Sequence, residues 1–440
     1  MRIDCISLGR LTALALAGVA SLSPAQTYGP TADPRPSAPP AGDPAPPMIP
    51  TELAAAATRA VNGNPAMRAA RISNRAATTD IRSARWLYGP SVSVNAFAFE
   101  GGSAIVRDDR FTANLVVDQP IWQGGRIGGT IDRARAALRQ SEAVTDETGQ
   151  DIAERVTNTY FELVRALERV RALDAGLGEH RNLVGSIERR VAQEVSPRVD
   201  LELARSRTNQ LLEQQTTAQA QAAANLEQLR VLLADPAFAP AASPRYDPAL
   251  HHPSDVGAVE AATVCSPSRR RLQAEALVAR ADQRLARANV LPRLSAQFTS
   301  NEVTGERVGI AFSAATNGGL SQFEAERSAR LRQEAAETRI GAVDLDVQTS
   351  LAADFAENRA SRDRIASSRI AAESSRAVTD SFQRQFVVGR RNWLDVMNAA
   401  LEAIQAEIAV RDAEVSAMAS AARIALRTCR WQPEPFVSRP

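Results

Sequence analysis

NPAMRAARISNRAATTDIRSARWLYGPSVSVNAFAFE spans Asn64 to Glu100, and SPSRRRLQAEALVARADQRLARANVLPRLSAQFTSNE spans Ser266 to Glu302. The two stretches share few residues and one layout. Each opens on an N-capping side chain followed by proline, Asn64-Pro65 and Ser266-Pro267. A cap oxygen accepts from first-turn amides, and proline at the first helical position has no amide to leave unpaired. In both, a second proline falls 25 residues after the first, at Pro90 and Pro292. An Ala/Arg-rich helical run fills the interval. Alternation follows, with Val92, Val94, Ala96 and Ala98 in one copy and Leu294, Ala296 and Phe298 in the other. Period two reads as a strand. The chain is duplicated, and the duplication decides the fold.

Working outward, each copy continues with a second strand, FTANLVVDQPIW (Phe111 to Trp122) and VGIAFSAAT (Val308 to Thr316). Each ends at a diglycine, Gly124-Gly125 or Gly318-Gly319. This predicts β-hairpins at about 91–122 and 293–316, with strands of ~9 residues. That length suits a tilted strand crossing a bilayer, about 9–11 residues. Helical runs of about 70 residues come next, from Arg126 to the break at Ser196-Pro197 and over 320–388. Each would reach about 100 Å at 1.5 Å per residue. Such length implies a coiled coil or helical barrel. Val156, Tyr160, Leu163, Leu167 and Val170 alternate spacings of four and three, as do Leu394, Met397, Leu401, Ile404 and Ile408. That alternation marks a packing seam between helices.

The helix breaks also align. VAQEVSPRVDLELA (Val191 to Ala204) matches FVVGRRNWLDVMNA (Phe386 to Ala399), placing Glu194 on Gly389 and Asp200 on Asp395. The predicted plan is a first repeat over 51–234, a Pro-rich linker over 235–253 and a second repeat over 254–428. The second returning helix occupies 393–428, and a tail follows over 429–440.

Arg2 precedes the apolar run Leu11 to Leu22, and Ser23-Pro24-Ala25 supplies small residues for cleavage. Residues 1–25 read as a secretory signal peptide. Residues 26–50 are Pro-rich and read as an extended tail, either a periplasmic spacer or a solvated terminus. No later stretch approaches 18 consecutive apolar residues, so any membrane passage must use strands. The net charge is +2 and all 52 basic residues are Arg. This balance argues against nucleic acid, which needs a clustered basic surface. Arg269-Arg270-Arg271 reads as a solvated helix face. No phosphate loop, zinc spacing or nucleophile–base pattern occurs, so neither enzyme activity nor a cofactor or metal is expected. Of the three histidines, His180, His251 and His252, the last two sit in the linker. After export, Cys265 and Cys429 remain. An oxidising compartment permits a disulfide between them, and counting helical rise puts both near mid-length of the long helices.

Two strands per repeat make four per chain, too few to close a barrel in lipid. Closure needs several copies. The sequence here resembles the TolC-like outer-membrane efflux and type I secretion channels. The carriers are NPAMRAA, DQPIWQGGR at the strand-to-helix junction, and FVVGRRNWLDVMNAALEAIQAEIAVRDAE near the end. The resemblance implies an α+β membrane protein, a homotrimer whose 12-stranded outer-membrane barrel continues into a ~100 Å periplasmic α-helical barrel. It implies a periplasmic adaptor, an inner-membrane pump of ABC, RND or MFS type, and outer-membrane lipid as partners. A periplasmic adaptor and a structural coiled-coil envelope protein are the competing readings. Neither explains both the duplication and the amphipathic strands.

The resemblance also implies roles by position. Asp395 would face the lumen at the closed periplasmic entrance. The second carboxylate position of that ring is Asn398 here. Arg391 would pair with Asp200 of the other hairpin, with Phe386 packed nearby. Gly389, Arg390, Ser196 and Pro197 would meet the adaptor at the hairpin tips. Glu194 and Pro197 stand where the family pattern has a glycine and a small polar residue, and AATNGGLS lacks the QP-aromatic-GG pattern of the first repeat. Trp122 suits an interfacial aromatic belt.

Overall fold

Twelve elements follow the predicted order among the residues that a computed structural model of the chain describes, 46–98, 111–301, 305–314 and 321–433. The expected signal peptide, most of the Pro-rich tail, Gly318-Gly319 and the last residues of the C-terminal tail lie outside them. The first repeat holds α1 (Thr51–Gly63), α2 (Pro65–Trp86), β1 (Ser91–Ala98), β2 (Phe111–Trp122), α3 (Arg126–Ala192) and α4 (Arg198–Leu233). The second holds α5 (Ala258–Cys265), α6 (Pro267–Ala288), β3 (Arg293–Asn301), β4 (Gly305–Ser313), α7 (Ser321–Val387) and α8 (Trp393–Arg427). Duplication is visible in the lengths. α2 and α6 both have 22 residues, and α3 and α7 both have 67. The caps match too. The Asn64 side chain accepts from the Ala66 amide at 2.8 Å, and the Ser266 hydroxyl accepts from the Arg269 amide at 3.2 Å.

The helices form a layer in the order α2 with α4, then α3, then α6 with α8, then α7. α3 packs on α2, α4, α6 and α8, whereas α7 packs on α6 and α8. The largest core sits at mid-length. There α1 (Leu53, Ala57, Val61) meets the centre of α3 (Val156, Tyr160, Leu163) and the ends of α4 and α8 (Leu229, Val415, Met418, Ala422). Of the two predicted seams, Val156, Tyr160, Leu163, Met397, Ile404 and Ile408 are buried where helices meet, and Leu167, Val170, Leu394 and Leu401 are half-buried. Smaller clusters continue along α3 toward its far end, through Leu173, Leu177, Ile404 and Ile408 to Ile187, Phe386 and Met397.

Charged side chains fasten the columns. Asp354 of α7 accepts from Arg423 Nε at 2.6 Å and Arg427 Nε at 2.9 Å, and Arg427 reaches Glu154 of α3 at 2.6 Å. The Arg269–Arg271 run, expected to be a solvated face, is paired throughout. Arg269 bonds Asp344 of α7, while Arg270 and Arg271 bond Asp146 and Glu147 of α3, each at 2.7 Å. A triplet on a helix wedged between two others finds carboxylates on both sides. Burial pushes the Asp146 carboxyl up to about 6 despite Arg270. Cys265 and Cys429 are joined as a disulfide, with Cα atoms 5.9 Å apart.

The strands make one antiparallel sheet in the order β1-β2-β3-β4. Register places Val92 across from Val117, Val117 from Phe298, and Phe298 from Val308. Directly opposed residues share a face. One face therefore carries Val92, Val94, Leu115, Val117, Ala296, Phe298, Val308, Ile310 and Phe312. The other carries Ser93, Asn95, Asn114, Asp118, Ser295, Gln297, Thr299 and Arg307. On it, Asp118 accepts from the Ser295 hydroxyl at 2.7 Å and the Gln297 amide at 2.8 Å. Among the described residues, no helix is long and apolar enough to cross a membrane.

Candidate functional site

Two places combine exposure with organised chemistry: the turns where the long helices reverse, and the junction of sheet and helices.

The two turns share one geometry. The Val195 amide donates to Arg190 O at 2.8 Å, and the Arg390 amide donates to Gln385 O at 2.9 Å. Both are helix C-terminal motifs in which the chain passes through a left-handed residue. That residue is Gly389 (φ 76) in the second turn and Glu194 (φ 60) in the first. The aligned pair thus adopts the same backbone, with the first repeat carrying a side chain where glycine is favoured. After the second turn, the Asn392 side chain accepts from the Leu394 amide at 3.2 Å and starts α8. Asp200 and Asp395 lie in the first turns of α4 and α8, where a carboxylate is favoured by the helix dipole.

Arg391 does not reach Asp200 within the chain. Its guanidinium lies 3.4 Å from Asp395 Oδ2, and its Cζ is 3.9 Å from the Phe382 ring centroid. Arg391 stands just before the Asn392 cap and Asp395 in the first turn of α8, so the two are close along the chain as well as in space. Phe386 is buried in the tip core with Ile187, Trp393 and Met397, and Arg190 of the first hairpin stacks on its ring at 4.9 Å. The Arg–aromatic link between hairpins exists, with Arg190 rather than Arg391 as its cation. Asn398 is exposed and borders a small cavity together with His180 and Arg207.

Gly389, Arg390 and Pro197 are exposed at the tips, and Ser196 is half-buried. Sequence reasoning missed the valines beside them. Val195, Val199, Val387 and Val388 are 60–81% exposed, forming an apolar knob on each tip. The signal was present in FVVGRR, where two adjacent valines cannot both face a helix core.

At the other end of the long helices, Trp122 is half-exposed and pairs with Leu294 after an irregularity at Pro120. It has company: Trp86, Tyr88 and Phe312 are 80%, 58% and 70% exposed. Gln119 donates to Tyr88 O at 2.9 Å, which holds the α2 end against β2. Gly124 (φ 59) and Gly125 (φ 85) then turn the chain into α3. The aromatics of WLYGP were the overlooked signal. Among the described residues, no cluster of three metal-ligating groups occurs.

Comparison with known proteins adds a family match over part of the chain and a fold over most of it. Residues 56–235, the first repeat, match the family described as outer membrane efflux protein. Around it, the chain has the fold of solved outer-membrane channels. OprN matches with a TM-score of 0.77 at 20% identity, over 87% of this chain and 90% of its own. CusC gives 0.76 at 14%, over 89% and 99%. VceC of Vibrio cholerae gives 0.75 at 16%, over 86% and 96%. At these identities the likeness is one of fold, and it runs through both repeats. No curated protein matches the sequence significantly.

Proposed function

We propose that this protein is the outer-membrane duct of an export machine, a passive trimeric conduit gated where its long helices turn. The observation that carries it is a sheet with one apolar and one polar face whose edge strands, β1 and β4, each have an outer edge with no partner strand among the described residues. An apolar face suits lipid and a polar face suits a water-filled lumen. Unpaired edges are not tolerated in lipid, so copies must close the sheet. Two copies would give eight strands, whose interior is filled by side chains, whereas three give twelve and leave a lumen. The helical layer is open on the same two sides, at α2 with α4 and at α7. The exposed aromatics at the junction suit the membrane–water boundary.

The tips are the periplasmic entrance in this reading. Three Asp395 side chains would ring the constriction and attract cations, as charge rings do in narrow pores. The valine knobs, with Gly389, Arg390, Ser196 and Pro197, form the surface for a periplasmic adaptor. An inner-membrane pump completes the machine, and both tripartite efflux and type I secretion fit a conduit of this build.

The test is fractionation and reconstitution. The protein is expected in the outer-membrane fraction, cross-linking to a trimer with heat-modifiable migration, and conducting in planar bilayers. A soluble monomer without conductance overturns the reading and favours an envelope coiled-coil protein.

A further inference from the structure

His180 of α3 is 1% exposed, and neither ring nitrogen has a hydrogen-bond partner. An imidazole always carries at least one N–H, and burying it unpaired costs free energy. The residue interrupts an apolar seam, between the cluster of Leu177, Leu211 and Ile404 and that of Ile187, Val396 and Met397. It borders a cavity of about 30 Å³ walled by Arg207, Gln210 and Gln214 of α4 and by Met397, Asn398 and Leu401 of α8. That is room for about one water. His180 lies 12 residues before the end of α3 at Ala192, about 18 Å above the tip.

The charged surroundings are one-sided. The wall from α4 brings a cation, Arg207, and the wall from α8 brings no charge. Glu179 and Arg181 flank His180 on α3 and are exposed. Asp395, in the first turn of α8, is engaged by Arg391. No carboxylate lines the cavity to receive an imidazolium.

We propose that His180 is a proton-driven latch between the first hairpin and the gate helix α8. Neutral, it fills the seam and α8 stays docked. Protonated, it faces Arg207 across a cavity without a counter-charge, and α8 is released together with Asn398 and Asp395. Burial holds the imidazole below its ordinary range. The docked state therefore binds fewer protons than the released one. Docking is fully stable above the ordinary histidine range and is lost as pH falls through it, about 6.5 downward. Acidification of the periplasmic side opens the gate. This inference rests on the gate reading above.

Two measurements on the full-length protein separate the latch from that reading. In planar bilayers, acidifying the tip side from pH 7.5 to 5 is expected to raise open probability several-fold. His180→Gln is expected to abolish the step and leave conductance at pH 7.5 unchanged. Arg207→Gln is expected to shrink the step, because the docked imidazole can then take a proton with less repulsion and α8 is released less readily. A step that persists in His180→Gln, or a flat wild-type profile, overturns the latch. Amide exchange in detergent needs no conduction. Corrected for intrinsic rates, exchange over residues 173–187 and 397–408 should accelerate on acidification in the wild type and not in His180→Gln. If conductance is absent but exchange responds, the channel reading fails and the gating role falls with it, leaving His180 only as a proton-sensitive contact between α3 and α8. If the channel conducts and exchange is flat, the latch fails alone.

Discussion

Arg391→Ser is the most direct probe of the proposed gate, and its size can be worked out. The Arg391–Asp395 pair is 38% and 45% exposed, so it contributes about 0.3–0.5 kcal/mol. The stack on Phe382, at 3.9 Å and partly shielded, adds about 0.5–1 kcal/mol. Against this, Arg391 Nε is buried without a partner, which lowers the sum. These contacts fasten the α7–α8 turn by about 1 kcal/mol per copy, roughly a 5-fold bias toward the turn shape that holds Asp395 at the proposed gate. Three tips released together would shift the balance by about 3 kcal/mol, on the order of 100-fold. Removing the arginine also unmasks Asp395, so cation preference rises with conductance. Arg391→Lys keeps the charge and loses the planar stack, and should fall between. The assay is single-channel recording with cation and anion gradients. An assembled Arg391→Ser protein with wild-type conductance and wild-type ion preference refutes the reasoning.

Three further outcomes are expected. Asp354→Ala leaves two arginines facing a vacated, buried site and should cost about 3 kcal/mol, read as a lower denaturant midpoint. An unchanged midpoint would show that the clamp across α7, α8 and α3 carries nothing. Replacing Cys265 and Cys429 by Ser removes a cross-link spanning 164 residues, worth about 5 kcal/mol by chain entropy and roughly 5 °C in Tm. Equal melting of oxidised and cysteine-free protein would contradict this. Gly389→Ala should loosen its turn by about 1 kcal/mol, while Glu194→Gly should change its own by less and in the stabilising direction. Amide exchange at the two tips measures both, and same-sign effects would refute the shared backbone geometry.

The architecture was legible because it is written in spacing. Paired prolines 25 residues apart, period-two strands and a 3/4 seam are local signals, and duplication lets each copy check the other. Contacts between elements were less legible. Arg269, Arg270 and Arg271 read as solvent-facing because a sequence shows a helix its own neighbours only. Their carboxylates sit on α3 and α7, over 70 residues away. Arg391 was assigned to the other hairpin, whereas a carboxylate four residues on lies closer than any tertiary partner. His180 carried no pattern at all. Its position becomes informative only when α4 and α8 close over it.

The edges of the protomer bear on how it must mature. β1 and β4 expose Val92, Val94, Val308, Ile310 and Phe312 beside unpaired backbone groups. In water such edges are templates for aggregation. In lipid they are unsatisfied polar groups. Neither medium suits a single copy, so closure and insertion have to be coupled. Register makes the coupling specific. If β4 of one copy pairs with β1 of the next, a slip of one residue would turn the Asp118 face toward lipid and the Val117 face toward water. Asp118, held by Ser295 and Gln297, and the valine row opposite it thus penalise the same wrong registers. A polar substitution on the valine row, such as Val117→Asn, weakens that discrimination without touching a helix. It should appear as unassembled protomer rather than as a leaky channel.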